Sequence, residues 1–382
     1  MEKSKEENQP VILQVLPELE MGGVELGTTE IAEALTQHGI KNFVASKGGR
    51  MVHELEKIGV PHYTLDLKTK NPLKMKKNAK LLAKFIQENG INIVHARSRA
   101  PAWSAYWACR MTGAHYMTTY HGTYGLGPWG LKKHYNKVMT LGERVIAISN
   151  HIRKHLIENY IIDANKIRLV HRCVNTLRFN PDSVTTARKI NMVSEYNIPE
   201  DKPVILLGGR ITHWKGQHLL IKALAKMKNQ NFYCIIAGDE QGREKYLAYL
   251  KKLAQKYDLS SRICFHGKVL DMPALMSVSS VIVSAAIEPE AFGRISVEGQ
   301  AMGKVVVASN IGGSLDTITD GVTGKLFESN NPYSLAEALD WALDLSDENR
   351  KKIVEAGFQN VKNNFTKEIM CDKTIAVYKE LV

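Results

Sequence analysis

No part of this 382-residue sequence stays apolar for the ~18 residues that a membrane-spanning helix needs. Cysteine is sparse, with 5 residues at scattered positions (109, 173, 234, 264, 371) and no C-x-x-C pair. That argues against a zinc knuckle or a disulfide framework and fits a reducing compartment. Residues 1–10 are polar and charged, lack the apolar core of a secretory signal, and read as a frayed tail. The expected location is therefore cytoplasmic. The P-loop, G-x-S-x-G, H-E-x-x-H and EF-hand patterns are missing, so the chemistries they carry have no motif here. Metal-ligand spacing is missing as well, and no protein-held metal is expected. There is no 20–50-residue repeat, low-complexity tract or heptad pattern.

What is abundant is positive charge, unevenly placed. The net charge is +12, from 51 Lys and Arg against 39 Asp and Glu. Residues 1–180 hold 26 of the basic and 15 of the acidic residues, leaving 25 and 24 for residues 181–382. The densest cluster is Lys68, Lys70, Lys74, Lys76, Lys77, Lys80 and Lys84. It reads either as a surface for an anionic partner, such as a membrane, or as a solvated helix face. No nucleic-acid recognition motif accompanies it, so nucleic acid is not an expected partner.

Strand-like apolar runs and helix-like periodic runs alternate through both halves. The pattern lapses between Thr176 and Lys202, a polar stretch with Pro181 and Pro199 and one short helical run at 184–196. It restarts at Val204. Alternation of this kind implies parallel sheets with helices on both faces, and here two such domains in tandem. The expected division is 1–180, a linker at 181–202, a second domain at 203–365 and a closing helix at 366–382. A cleft between doubly wound domains, at the strands' carboxyl ends, is the expected ligand site.

The chemistry concentrates at Glu288–Ala301, which follows the apolar run Ser280–Ala285. Glu290 and Glu298 bracket seven residues, and Gly293 opens a helix between them. Free N–H groups at that helix start suit an anionic or hydroxylated ligand, and the two carboxylates read as holding two parts of one sugar-containing ligand. A general acid/base pair of the hydrolase kind is the other reading of two such carboxylates. Arg210 and Lys215 share one strand-to-helix loop, after Gly209, and form a candidate diphosphate clamp. The clamp favours ligand holding over hydrolysis. Gly22-Gly23 lies between the first strand and first helix; it is not G-x-G-x-x-G, and it permits close backbone approach to a phosphate or makes a plain turn. His121 ends a strand before Gly122 and suits a sugar hydroxyl, a proton transfer or a structural role. His95 is a weaker candidate, and Arg97 and Arg99 are candidates for an anionic acceptor. Gly312-Gly313-Ser314 opens a further helix, and Phe265-His266-Gly267 offers backbone to a nucleobase.

Taken together these residues resemble glycosyltransferase family 4, the "glycosyl transferases group 1" set with the GT-B fold. The carriers are Gly22-Gly23, Tyr120-His121-Gly122, Ile148-Ser149, Val174-Asn175 with Phe179, Gly209-Arg210 through Lys215-Gly216, Ala237-Gly238 and Phe265-x-Gly267. The strongest is Glu290-(x7)-Glu298 with Gly303, continuing to Gly312-Gly313 and Asp320-Gly321-x-x-Gly324. The chain departs from the common pattern at Arg172-Cys173-Val174-Asn175 and at Arg294, where many members carry an apolar residue.

The resemblance implies two Rossmann-like domains with an interdomain cleft and a C-terminal helix crossing back to the first domain. It implies that Glu298 holds the ribose of a nucleotide donor and Glu290 the donor sugar. Backbone N–H groups of Ala291, Phe292 and Gly293 would contact sugar and phosphate, Arg210 and Lys215 the diphosphate, and His121 the sugar. The expected activity is metal-independent, retaining transfer from a nucleotide-diphosphate sugar to a cell-surface glycan or lipid-linked acceptor, as in lipopolysaccharide or polysaccharide assembly. No cofactor beyond the donor is expected, and the basic cluster would place the protein at the inner face of the plasma membrane. The alternatives are another sugar-nucleotide enzyme of this fold, such as an epimerase, or a non-catalytic sugar-nucleotide binder.

Overall fold

Short β-branched runs supply the strands of two parallel sheets, and the computed structural model describes them within residues 9–125, 127 and 131–382. Residues 1–8 of the expected N-terminal tail lie outside the described residues. The chain divides into two compact units: one runs to His171 and takes in Glu368–Val382, and the other is Arg172–Lys367. The segment 181–202 lies within the second unit.

In the first unit the strands are β1 (Ile12–Val15), β2 (Asn42–Ser46), β3 (His62–Thr64), β4 (Ile93–Ala96), β5 (His115–Tyr120), β6 (Arg144–Ala147) and β7 (Ile167–Leu169). They form a seven-stranded sheet in the order β3-β2-β1-β4-β5-β6-β7. Its helices are α1 (Gly23–Gln37), α2 (Val52–Lys57), α3 (Pro72–Asn89), α4 (Arg99–Thr112), α5 (Leu131–Asn136) and α6 (Asn150–Asn159). Side-chain caps explain where several start. Asn71 accepts from the N–H of Leu73 and Lys74 ahead of α3, with Pro72 at its first position. Ser149 accepts from Ile152 N–H at 3.1 Å ahead of α6.

The second unit carries α7 (Thr186–Glu195), β8 (Val204–Gly208), α8 (Gln217–Leu224), β9 (Tyr233–Ala237), α9 (Glu244–Lys256), β10 (Ile263–His266) and α10 (Met272–Ser277). It continues with β11 (Val281–Ser284), α11 (Arg294–Ala301), β12 (Val305–Ser309), α12 (Ser314–Thr317), β13 (Lys325–Phe327), α13 (Pro332–Leu343) and α14 (Asp347–Asn364). Its sheet has six strands, ordered β10-β9-β8-β11-β12-β13. Ile205, Leu207, Val281, Val283, Val305 and Val307 form its buried centre. Strands buried on both faces are what near-continuous apolar runs predict for a parallel sheet. Arg188 of α7 grips Asp271, the cap residue of α10, through two hydrogen bonds of 2.7 and 2.8 Å, which ties this short helix to its own unit.

The last helix, α15 (Lys367–Lys379), packs on the first unit, as expected. Tyr378 is fully buried, and its hydroxyl lies 2.7 Å from His95 Nδ1. Beyond the helix, Glu380 pairs with Arg144 and Arg168, each at 2.6 Å.

Candidate active site

In the second sheet the strand order reverses between β8 and β11, which lie side by side. The connections leaving two such strands diverge to opposite faces of the sheet, which opens a groove at their carboxyl ends. The candidate residues of this unit stand there. The β8–α8 loop carries Gly209, Arg210 and Lys215, and the β11–α11 loop carries Glu290, Ala291, Phe292 and Gly293.

Two glycines let these loops touch. Gly216 has φ +73°, and a Cβ there would stand 1.8 Å from the carbonyl oxygen of Ala285. Next to it, Ile287 N–H donates to Trp214 O at 2.9 Å. Gly313 plays the same part on the other side: a Cβ would come within 2.4 Å of Phe292 Cα, and its N–H donates to Glu290 O at 2.8 Å. The Gly312-Gly313 pair therefore shapes the Glu290 loop from below.

The charged groups are paired in a definite way. Lys215 Nζ donates to Glu290 Oε1 at 2.7 Å, with side chains only 18% and 12% exposed. Ser284 Oγ approaches the same oxygen at 3.5 Å. The Lys215 ammonium also lies 4.7 Å from the Trp214 ring centre. Arg210 is exposed, and among the described residues its guanidinium has no ion-pair partner; Gln217 Nε2 holds its carbonyl at 2.9 Å. The two expected clamp cations thus start from different states, one engaged with a carboxylate and one in solvent.

Helix α11 begins at a left-handed Gly293 (φ +80°) with no side-chain cap. Among the described residues, the N–H groups of Ala291 and Gly293 donate to no backbone carbonyl. The Phe292 ring is buried 5.6 Å from that of Phe365, and its backbone packs against Gly313. Glu298 sits about one turn into α11, and Arg294 Nη2 donates to its Oε1 at 2.8 Å. Burial pushes the Glu298 carboxyl above its ordinary pKa, and Arg294, then Arg178 and Lys215, pull it back down. Nothing in the sequence pattern singles out Arg178, whereas Arg294 stands out there as a departure from the family pattern. The four-residue spacing of Arg294 and Glu298 on one helix was the available signal; Arg178 had none.

In the first unit Gly22 caps α1 in an extended conformation, and the Glu25 carboxylate folds back beside it. Gly23 opens the helix, and His121 follows β5 half-buried. His95 is fully buried with both ring nitrogens engaged, by Tyr378 and by Thr119 Oγ1 at 2.7 Å, so its role is structural. Arg97 is 2% exposed. Arg99 stacks on Tyr124 at 4.0 Å and donates to Asn136 at 3.0 Å. The lysines of α3 are exposed opposite buried Met75, Ala79, Leu82 and Ile86. Lys68, ahead of the helix, pairs with Glu18 at 2.9 Å. Among the described residues, no helix is long and apolar enough to cross a membrane.

Two family models match the chain: "Glycosyltransferase Family 4" over residues 21–178 and "Glycosyl transferases group 1" over residues 189–360. A glycosyltransferase from Rickettsia africae is similar in structure, with a TM-score of 0.90 and 42% identity over 98% of this chain and 99% of that one. The HepE protein of Anabaena, solved with UDP, matches with a TM-score of 0.84 and 20% identity over 97% of this chain and 100% of that one. An uncharacterised glycosyltransferase of Methanocaldococcus jannaschii is 27% identical over 243 residues, which is 62% of this chain and 60% of that protein. The chain spans little more than half the length of the curated relatives it matches.

Proposed function

The chain belongs to glycosyltransferase family 4, with the GT-B fold, and from that premise we propose that it moves a sugar from a nucleotide-diphosphate sugar to a glycan or lipid-linked acceptor, with retention at the anomeric carbon. The observation that carries this reading is the Lys215–Glu290 contact at the β8/β11 reversal, beside the uncapped start of α11. A sugar diphosphate offers hydroxyls and phosphate oxygens a few ångströms apart. It needs carboxylates for the first and cations or N–H groups for the second, and the site supplies both.

In this reading Glu290 accepts from donor-sugar hydroxyls and Glu298 from the ribose. Ala291, Phe292 and Gly293 present backbone N–H groups to sugar and phosphate. Arg210 and Lys215 bear on the diphosphate, where negative charge grows as the sugar–oxygen bond breaks; a fixed cation is worth most at that moment. The departing phosphate oxygen takes the acceptor hydroxyl's proton as the new bond forms on the same face. His121 and the Gly22-Gly23 turn are assigned to the donor sugar and to a backbone contact with donor or acceptor. No metal or further cofactor takes part, since the two cations supply the charge. The exposed lysines of α3 suit an anionic membrane bearing a lipid-linked acceptor, as in lipopolysaccharide or polysaccharide assembly. UDP bound to HepE makes UDP-sugars the first donors to try.

The test is to incubate UDP-, GDP- and ADP-sugars with membrane-derived acceptor and follow diphosphate release and product anomer by NMR. An inverted anomer sinks the mechanism. Turnover of a sugar nucleotide with no acceptor present points instead to an epimerase.

A further inference from the structure

Arg294 is the first residue of α11, and it reaches from solvent to a carboxylate inside the site. Its side chain is 48% exposed, that of Glu298 only 11%, and they meet at 2.8 Å. The polarity of this pair opposes the helix. A cation at the first residue of α11 faces the positive end of the helix dipole, and Arg-to-Glu is the less favourable order of an i,i+4 pair. Helix stability therefore does not explain it.

Among the described residues, Arg294 is the one hydrogen-bond donor to the Glu298 side chain, and only Oε1 is used. The other cations acting on Glu298 are Arg178 and Lys215, and Lys215 is already bonded to Glu290. The helix beneath is fixed, with Val297 fully buried and Gly299 pressed against Ile282 and Val306. What remains to be set is the carboxylate's own orientation and charge.

We propose that Arg294 is a positioning residue: it fixes the Glu298 carboxylate through Oε1 and leaves Oε2 to receive the ribose hydroxyls of the nucleotide donor. This rests on the assignment of Glu298 to the ribose made above. Loss of Arg294 removes the largest influence that opposes burial of the Glu298 charge. Ligand binding then fails at a higher pH than in the wild type.

The experiment measures binding of UDP, GDP and ADP by calorimetry, takes the tightest, and repeats it with the 2′-deoxy and 3′-deoxy counterparts across the mildly acidic to mildly alkaline range. The proteins are wild type, Arg294→Met, Arg294→Lys and Glu298→Gln. Arg294→Met is expected to weaken the ribonucleotide about tenfold at neutral pH, the size of one charged hydrogen bond. It should barely change the deoxy ligands, and it should move the acid limb of binding to higher pH; Arg294→Lys should recover part of each effect. Equal weakening of ribo and deoxy ligands places Arg294 on the phosphates and overturns the proposal, as does an unchanged acid limb. A wild type blind to the ribose hydroxyls, or a Glu298→Gln variant that still discriminates them, overturns the Glu298 assignment itself and the proposal with it.

Discussion

Lys215 and Glu290 are 75 residues apart in sequence and 2.7 Å apart in space, joined across the reversal of the second sheet. Each is mostly buried, so each depends on the other for charge compensation. Lys215→Ala leaves a buried carboxylate without its cation and is expected to lower stability by about 3 kcal/mol. The double variant Lys215→Ala/Glu290→Gln should regain most of that in thermal melts while transfer stays at least about a hundredfold down. Additive losses in the melts would refute the coupling.

Glu298 gives a pH-dependent prediction with a definite sign. Burial holds its folded pKa above the ordinary carboxylate value. Such a group favours the fold at low pH, and that contribution is lost as pH rises through the raised value. Glu298→Gln should therefore melt above the wild type at neutral pH, by about 1 kcal/mol, and match it near pH 4. It should also lose the thermal shift that a nucleoside diphosphate gives the wild type. A variant that is less stable at neutral pH contradicts the sign.

Glu380 has the opposite sign. Its hydrogen bonds from Arg168, then Arg144, hold its carboxyl below the usual range. The stabilisation is present above the unfolded carboxylate pKa and is lost as pH falls through the lowered folded value. Glu380→Gln should cost about 1 kcal/mol at neutral pH, given partial exposure of all three side chains. Melts of the two proteins are expected to converge in acid; a constant gap would speak against the ion pair as the cause.

Gly216 and Gly39 have similar backbone angles, φ +73° and φ +69°, but different surroundings. Nothing lies within 4 Å of a Cβ built at Gly39, whereas at Gly216 the Ala285 carbonyl blocks it. Gly39→Ala should cost about 1 kcal/mol for the left-handed backbone alone. Gly216→Ala should cost more than about 3 kcal/mol and disturb donor binding, because the two loops must part. Equal melting temperatures for the two variants would show that the close approach is unimportant.

If Arg210 and Lys215 neutralise the diphosphate, chelation should leave transfer unchanged. Activity assayed with excess EDTA and with added Mg²⁺ checks this, and a collapse under EDTA assigns the charge to a metal instead.

The sequence revealed the elements well because parallel strands are buried on both faces and announce themselves as apolar runs, such as Val281–Ser284 and Val305–Ser309. The caps at Asn71 and Ser149 lie within a few residues of the helices they start. Which loops would carry Arg210, Lys215 and Glu290, and that Glu298 would stand in the helix after them, followed from the same pattern. Their partners did not. The hydrogen bond that commits Lys215 to Glu290 depends on strand order, which no local pattern encodes. His95 lies near the end of β4 much as His121 follows β5, yet only the fold closes Tyr378 over it, from 283 residues downstream.

That last distance has a consequence for how the protein comes into being. Ribosomes add roughly 5–20 residues per second, so the partner of His95 emerges about 15–60 s after His95 itself. In that interval the contiguous stretch Arg172–Lys367 can complete its own sheet. The unit that starts first is the one that finishes last, and until it does, His95 waits in its strand without the tyrosine hydroxyl that engages its Nδ1.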